Sequence, residues 1–406
     1  MPFEPPPEIL ERYADVLVNF ALGAGAGIRS GDVVRVVAPE SARPLYAALH
    51  RAIWRAGGHV LPAYATDADE HVNLQREFFE IASPEQLDHF AANYFRGLVD
   101  EMDHQVAVLA ESDPHALDGI DPALMMRRGE TLRPLIAWRG AKENAGDFSW
   151  TLGLYGTEGM AAEAGMSLEE YWEQIIHACY LDDEQPVARW RQVGEQIDRT
   201  VKWLDGLDIR SVHVVGSDVD LRVSIGERRR WLGGRGRNVP SFEIFTSPDW
   251  RGTEGWIYCN QPLYRYGTLV RGVRLEFADG RVVNASAEEN ERLLTDMLAV
   301  ENADKIGEFS LTDRRLSRIT RFMAHTLYDE NAGGEFGNTH IAVGRAYQDA
   351  LAGDPSELSD EEWEKLGFNS SSVHTDVVST SDRTVTATLA DGSERVIYAA
   401  GEFQLD

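Results

Sequence analysis

Two histidines, a tyrosine and an aspartate are spaced for chemistry in the last fifth of the chain. His340 and Tyr347 stand seven residues apart in Asn338-Thr-His-Ile-Ala-Val-Gly-Arg-Ala-Tyr347, just after a stretch holding Gly333, Gly334 and Gly337. Asn338 or Thr339 offers a side-chain oxygen to the free N–H groups of a helix start, so the pattern predicts a helix with His340 in its first turn. At roughly 100° per residue, seven residues fall about 20° short of two turns, which puts the imidazole and the phenol on one face. Such a pair can bind a metal and stabilise an oxyanion; the same pattern also describes a capped helix with a core His and a core Tyr. Further on, His374-Thr-Asp376 reads as a strand, where positions i and i+2 point to one side. An imidazole and a carboxylate aimed at one point suit a divalent cation.

The elements that must position these residues change character along the chain. Residues 8–22 read as an amphipathic helix, 32–39 as a strand, 41–56 as a helix ended by Gly57-Gly58, and 59–65 as a second strand. Helical patterns at about 71–82, 84–102 and 121–142 surround a strand at 105–109, and a strand at 148–156 precedes the capping box Ser167-Leu-Glu-Glu170. Helices to about Tyr180 and over about 186–205 close this half. Alternation of strand and helix predicts parallel strands with crossover helices, an α/β layered domain over 1–208. From 210 the hydrophobic period becomes two, with strands expected at 211–215, 220–224, 255–259, 268–277 and 281–285. Helices are expected at about 287–300 and 315–327, and an Asp391-Gly392 hairpin joins 384–389 to 394–399. Residues 209–406 therefore read as a β-rich domain, and the whole as α/β plus α+β.

The 406 residues carry 39 Lys and Arg against 67 Asp and Glu, a formal charge of −28. That balance argues against nucleic acid and anionic membranes as partners. It favours cationic ligands, metal ions and peptide ammonium groups included, and it also serves solubility. Cys179 and Cys259 are too few and too distant for a disulfide framework and fit a reducing compartment. Met1-Pro-Phe-Glu-Pro-Pro-Pro7 lacks the basic and apolar regions of a signal peptide, and no run of about 18 apolar residues would span a membrane. The expected location is the cytoplasm.

Several segments together carry a family resemblance. They are Asn238-Val-Pro-Ser-Phe-Glu-Ile-Phe-Thr-Ser-Pro248, Arg251-Gly-Thr-Glu-Gly255, Lys305-Ile-Gly-Glu308, Asp329-Glu-Asn331, Thr339-His-Ile-Ala-Val-Gly-Arg-Ala-Tyr347 and His374-Thr-Asp376. In order and spacing the chain resembles, over nearly its whole length, the metallopeptidase family typified by aminopeptidase T and aminopeptidase S. The resemblance implies a two-metal site built by Glu243, Glu308, His340, His374 and Asp376, with Glu308 as the bridging carboxylate and Tyr347 as an active-site phenol. It implies two divalent ions (Zn, Co, Mn or Mg), a metal-bridging water as nucleophile, peptide substrates with a free N-terminus, and a homodimer. Its fold is an N-terminal α/β domain followed by a β-rich catalytic domain. Glu254 is a candidate proton shuttle or amine contact, with a turn carboxylate as the plain alternative. Glu330 and Glu335 read as loop charges near the site. Two departures flank the metal residues: Val377-Val-Ser-Thr-Ser follows Asp376, and Gly333-Gly-Glu-Phe-Gly-Asn338 lengthens the approach to His340. A rival on the same scaffold, a ring-cleaving 2,5-dihydroxypyridine dioxygenase, would need one Fe(II) on His340, His374 and Asp376 alone.

Overall fold

A parallel sheet organises the first part of the chain. In the computed structural model, which describes residues 3–69, 71–234, 236–265, 268–355 and 358–405, five strands pair in the order 59–65, 33–39, 104–109, 149–154 and 238–239. All four pairings are parallel. Strand Val33–Pro39 buries Val34, Val36 and Ala38 at alternate positions. Helix Arg43–Arg55 crosses between the first two strands of the chain and buries Leu45, Ala48, Leu49, Ala52 and Ile53 at the three-and-four spacing of one helix face. The Ser167–Glu170 capping box opens helix Leu168–Ala178 as expected. The helix expected over 121–142 is two, Pro122–Thr131 and Arg133–Asn144: Pro134 has no N–H to continue the first ladder. The one expected over 84–102 is likewise split, into Pro84–Leu87 and Ala92–Glu101.

The chain folds as two compact units, Met1–Arg191 with Arg235–Pro240, and Gln192–Gly234 with Ser241–Asp406. It passes from the first to the second inside helix Pro186–Asp205, ahead of the boundary expected at 208/209. Met1, Pro2 and Asp406, at the outer ends of the two expected domains, lie outside the described residues.

The second unit is antiparallel. Eight strands run in the order 281–286, 273–278, 249–259, 219–224, 209–216, 383–389, 394–399 and 402–403. The expected hairpin around Asp391-Gly392 joins two of them, with Gly392 at φ 83°, where a side chain would be strained. A separate five-stranded sheet orders 374–379, 338–344, 306–312, 243–246 and 232–233. Strands 306–312 and 338–344 are buried at all seven positions, so both faces of the sheet are covered along them.

Three expectations fail in this unit. The helix placed at 315–327 is helical only over Thr326–Asp329. The strand placed at 268–277 is two, Thr268–Val270 and Val273–Ala278, separated at Gly272 with φ 63°. The helix placed at His340 is strand Asn338–Gly344, whose N–H groups enter ladders on both sides and need no cap.

Candidate metal centre

Antiparallel register gathers the site onto one face of the five-stranded sheet. Glu308 lies opposite Ala342, and Ala342 opposite Asp376; His374 lies opposite Gly344, and Glu243 opposite Thr312. Directly opposed residues share a face, as do positions two apart on one strand. Glu243, Glu308, Asn338, His340, His374 and Asp376 therefore project to the same side. A one-residue slip would turn any of them away.

The side chains converge in two groups that share one member. Nε2 of His340 lies 3.1 Å from Glu308 Oε1 and 3.4 Å from Glu243 Oε2. Nε2 of His374 lies 3.7 Å from Glu308 Oε2 and 3.5 Å from Asp376 Oδ1. Within each group the ligand atoms lie within 4.8 Å of one another. Glu308 thus turns one oxygen to each group. His340 is fully buried, and Glu243 and Glu308 are buried. Nδ1 of His374 donates to the Arg345 carbonyl at 2.8 Å, so its Nε2 is the nitrogen left for a ligand role.

Burial and mutual charge distort the protonation of this cluster. Burial, reinforced by Glu243, lifts the Glu308 carboxyl to about 7 against the pull of His340. Burial alone would lower His340, yet hydrogen bonds to Glu243 and Glu308 hold it well above the usual imidazole range. His374 is likewise penalised by burial but raised to about 9, chiefly by Asp376. Asp376, against its own burial, is held below the usual carboxylate range by His374, with Arg265 contributing.

Of the remaining candidates, Tyr347 joins the cluster from a loop rather than a helix. It follows the His340 strand, its N–H donates to Ser247 Oγ at 2.8 Å, and its ring sits 4.7 Å from that of His374. Burial, then Glu308, Asp376, Glu330 and Glu243, drive its phenol far above its ordinary value, so it stays a donor. Glu254 is not brought here. It lies on strand 249–259 of the other sheet, is exposed, and accepts the Asp279 N–H at 2.8 Å, the turn role. Glu335 is exposed. Glu330 is the residue sequence reasoning undervalued: burial, Glu243 and Asp376 push its carboxyl well up, which places it in the field of the cluster. Its place inside Asp329-Glu-Asn331, one of the segments that carry the family resemblance, was the available signal.

The donor set fits divalent cations. Four carboxyl groups (Glu243, Glu308, Glu330, Asp376) and two imidazoles form one electrostatic cluster, and the protons that Glu308, Glu330 and the histidines retain are those that divalent cations would displace. Oxygen and imidazole donors together accept Zn, Co, Mn or Mg.

Comparison with known proteins settles the family. Residues 7–403 match the model of the thermophilic metalloprotease (M29) family. The chain belongs to this family. Among its relatives, aminopeptidase T of Thermus thermophilus is 29% identical over 419 residues, covering 98% of this chain and 99% of its own. Aminopeptidase PepS of Streptococcus thermophilus is 24% identical over 420 residues, covering 98% of each. The solved structure of wild-type AmpT from Thermus thermophilus superposes with a TM-score of 0.81 at 26% identity, over 98% of this chain and 99% of that one. The α/β plus β-rich architecture expected from sequence is the fold of this metalloprotease. A 2,5-dihydroxypyridine dioxygenase from Pseudomonas putida KT2440 shares the fold at a TM-score of 0.51 and 13% identity, covering 98% of this chain and 96% of that one. Among the described residues no helix is long and apolar enough to cross a membrane.

Proposed function

We propose that the protein is a metal-dependent aminopeptidase whose catalytic domain, residues 209–406, works with two divalent cations. The observation that carries the reading is the division of Glu308 between two groups of donors. Glu243, Glu308 and His340 would hold one ion, and Glu308, His374 and Asp376 the other, with Glu330 as a further oxygen donor. Bound there, the pair would supply Lewis acidity, polarising a carbonyl and making water nucleophilic near neutral pH.

The chain's own groups set the rest. The acidic balance of the chain as a whole, −28, favours the approach of a peptide α-ammonium. Tyr347, kept protonated and held by its contacts with Ser247 and His374, presents an O–H to the oxygen that gains charge as the peptide carbonyl is attacked. His374 is held in one orientation by the Arg345 carbonyl. The same reading makes the protein a cytoplasmic homodimer using Zn, Co, Mn or Mg; its two free, buried cysteines accord with a reducing compartment.

The test combines stoichiometry and turnover. Protein loaded with Co or Zn should hold two ions per chain and release p-nitroaniline from Leu- or Arg-p-nitroanilide, but not from the N-acetylated forms. One iron per chain with O₂ consumption on a dihydroxypyridine, and no peptidase turnover, would instead favour the oxygenase. Buried Glu243 and Glu308 beside His340 speak for two ions.

A further inference from the structure

The lengthened approach to His340 is built into the second unit rather than looped out from it. Gly333 N–H donates to the Ile319 carbonyl at 2.8 Å. Tyr398 Oη lies within hydrogen-bond reach of the Thr312 carbonyl at 2.9 Å and the Phe336 carbonyl at 3.0 Å. Gly337, at φ 60°, packs so closely on Thr312 that a Cβ would enter its carbonyl oxygen. The segment ends at Asn338, 1% exposed, the first residue of the His340 strand and on the same face as the metal donors.

The contacts of Asn338 determine which way its amide points. Nδ2 reaches the Glu330 carbonyl at 3.0 Å and the Ala332 carbonyl at 2.6 Å. Only the NH₂ end can donate to carbonyls, so the oxygen must face the other way. There it meets His340 Nδ1 at 3.3 Å. An amide oxygen only accepts, so Nδ1 carries a hydrogen, and Nε2, which hydrogen-bonds Glu308 and Glu243, is the nitrogen that would exchange its proton for a cation. The same side chain grips the backbone of Glu330, whose carboxyl lies within the electrostatic reach of Glu243, Asp376 and His340.

We infer that Asn338 is a positioning residue of the metal centre: it fixes the Nδ1–H tautomer of His340 and ties that choice to the placement of Glu330. The inference rests on the two-ion reading above and adds what the longer segment does for it.

Competition of wild-type and Asn338→Ala protein against a chelator for zinc tests the claim. The variant should lose roughly 10–100-fold in affinity for one of the two ions, the effect of removing a group that orients a ligating histidine. Equal affinity in the two proteins overturns the inference and leaves the metal reading standing. A wild-type chain that takes up no divalent cation overturns both. A measurement on the zinc-loaded wild type does not depend on the variant folding: long-range ¹H–¹⁵N correlation of labelled histidine, with His340 assigned by its loss in His340→Gln. A protonated Nδ1 is expected, and a protonated Nε2 overturns the assignment.

Discussion

Glu308 carries two unfavourable burdens, burial and the charge of Glu243, which the hydrogen bond from His340 only partly offsets. Cations held by the two donor groups that Glu308 joins would compensate both. Glu308→Gln keeps the shape but removes the charge, and bound metal should fall from two ions per chain to at most one, read by elemental analysis of the dialysed protein. Retention of two ions would refute the bridging role. Tyr347 acts through its hydroxyl, so Tyr347→Phe should lower kcat by about 10²–10³ with KM little changed, the scale for losing an oxyanion donor. An unchanged kcat would remove the phenol from the chemistry. These residue types were legible in sequence, and so was the side they share for His374 and Asp376, because a two-residue step on a strand leaves little choice.

At the scale of elements the sequence misled at the most important place. Asn-Thr-His-Ile-Ala-Val-Gly looked like a capped helix because a strand buried on both faces shows no alternation, and a short apolar run then fits either structure. Thr339, Ile341 and Val343 are the β-branched residues that favour a strand, and they alternate. Face sharing between His340 and the donors on other strands depends on register, which arises from long-range pairing and is invisible in one chain segment. The bulge between Ile306 and Glu308 shows how finely that register is set. Gly307 lies in it against the carbonyls of Gly344 and Arg345, which a Cβ would strike. Gly307→Ala should therefore cost about 1–3 kcal/mol of stability by overpacking and shift Glu308 out of place, lowering metal content as well. Denaturant melts and metal analysis read the two effects, and a variant matching wild type in both would show the bulge to be unimportant.

At the scale of the molecule, protonation of the donor cluster couples to folding. Glu308 moves from an ordinary 4.5 to about 7 and His374 from 6.5 to about 9. Each group binds its proton more tightly folded than unfolded. Its stabilising contribution is complete below the unfolded value and disappears as pH rises through the folded one. Metal-free protein should thus lose stability between about pH 5 and pH 9, while cation binding, which needs unprotonated ligands, strengthens over the same range. The difference in Tm between metal-loaded and chelator-treated protein should widen as pH rises. A gap that stays constant or narrows would mean the cluster does not titrate with folding. The acidic balance of −28 was plain from composition, yet composition could not locate the small part of it that is buried.

The donors stand on neighbouring strands of a single ladder, at alternate positions on one side. A scaffold of that kind behaves like a pegboard: one peg can be exchanged while the board and the other pegs stay put. Conversion from a dinuclear hydrolase to a mononuclear centre would then require no rearrangement of the backbone, only replacement of Glu243 and Glu308 by uncharged side chains of similar bulk. Chemistries that differ in how many ions they use could in this way diverge on one architecture by point substitution.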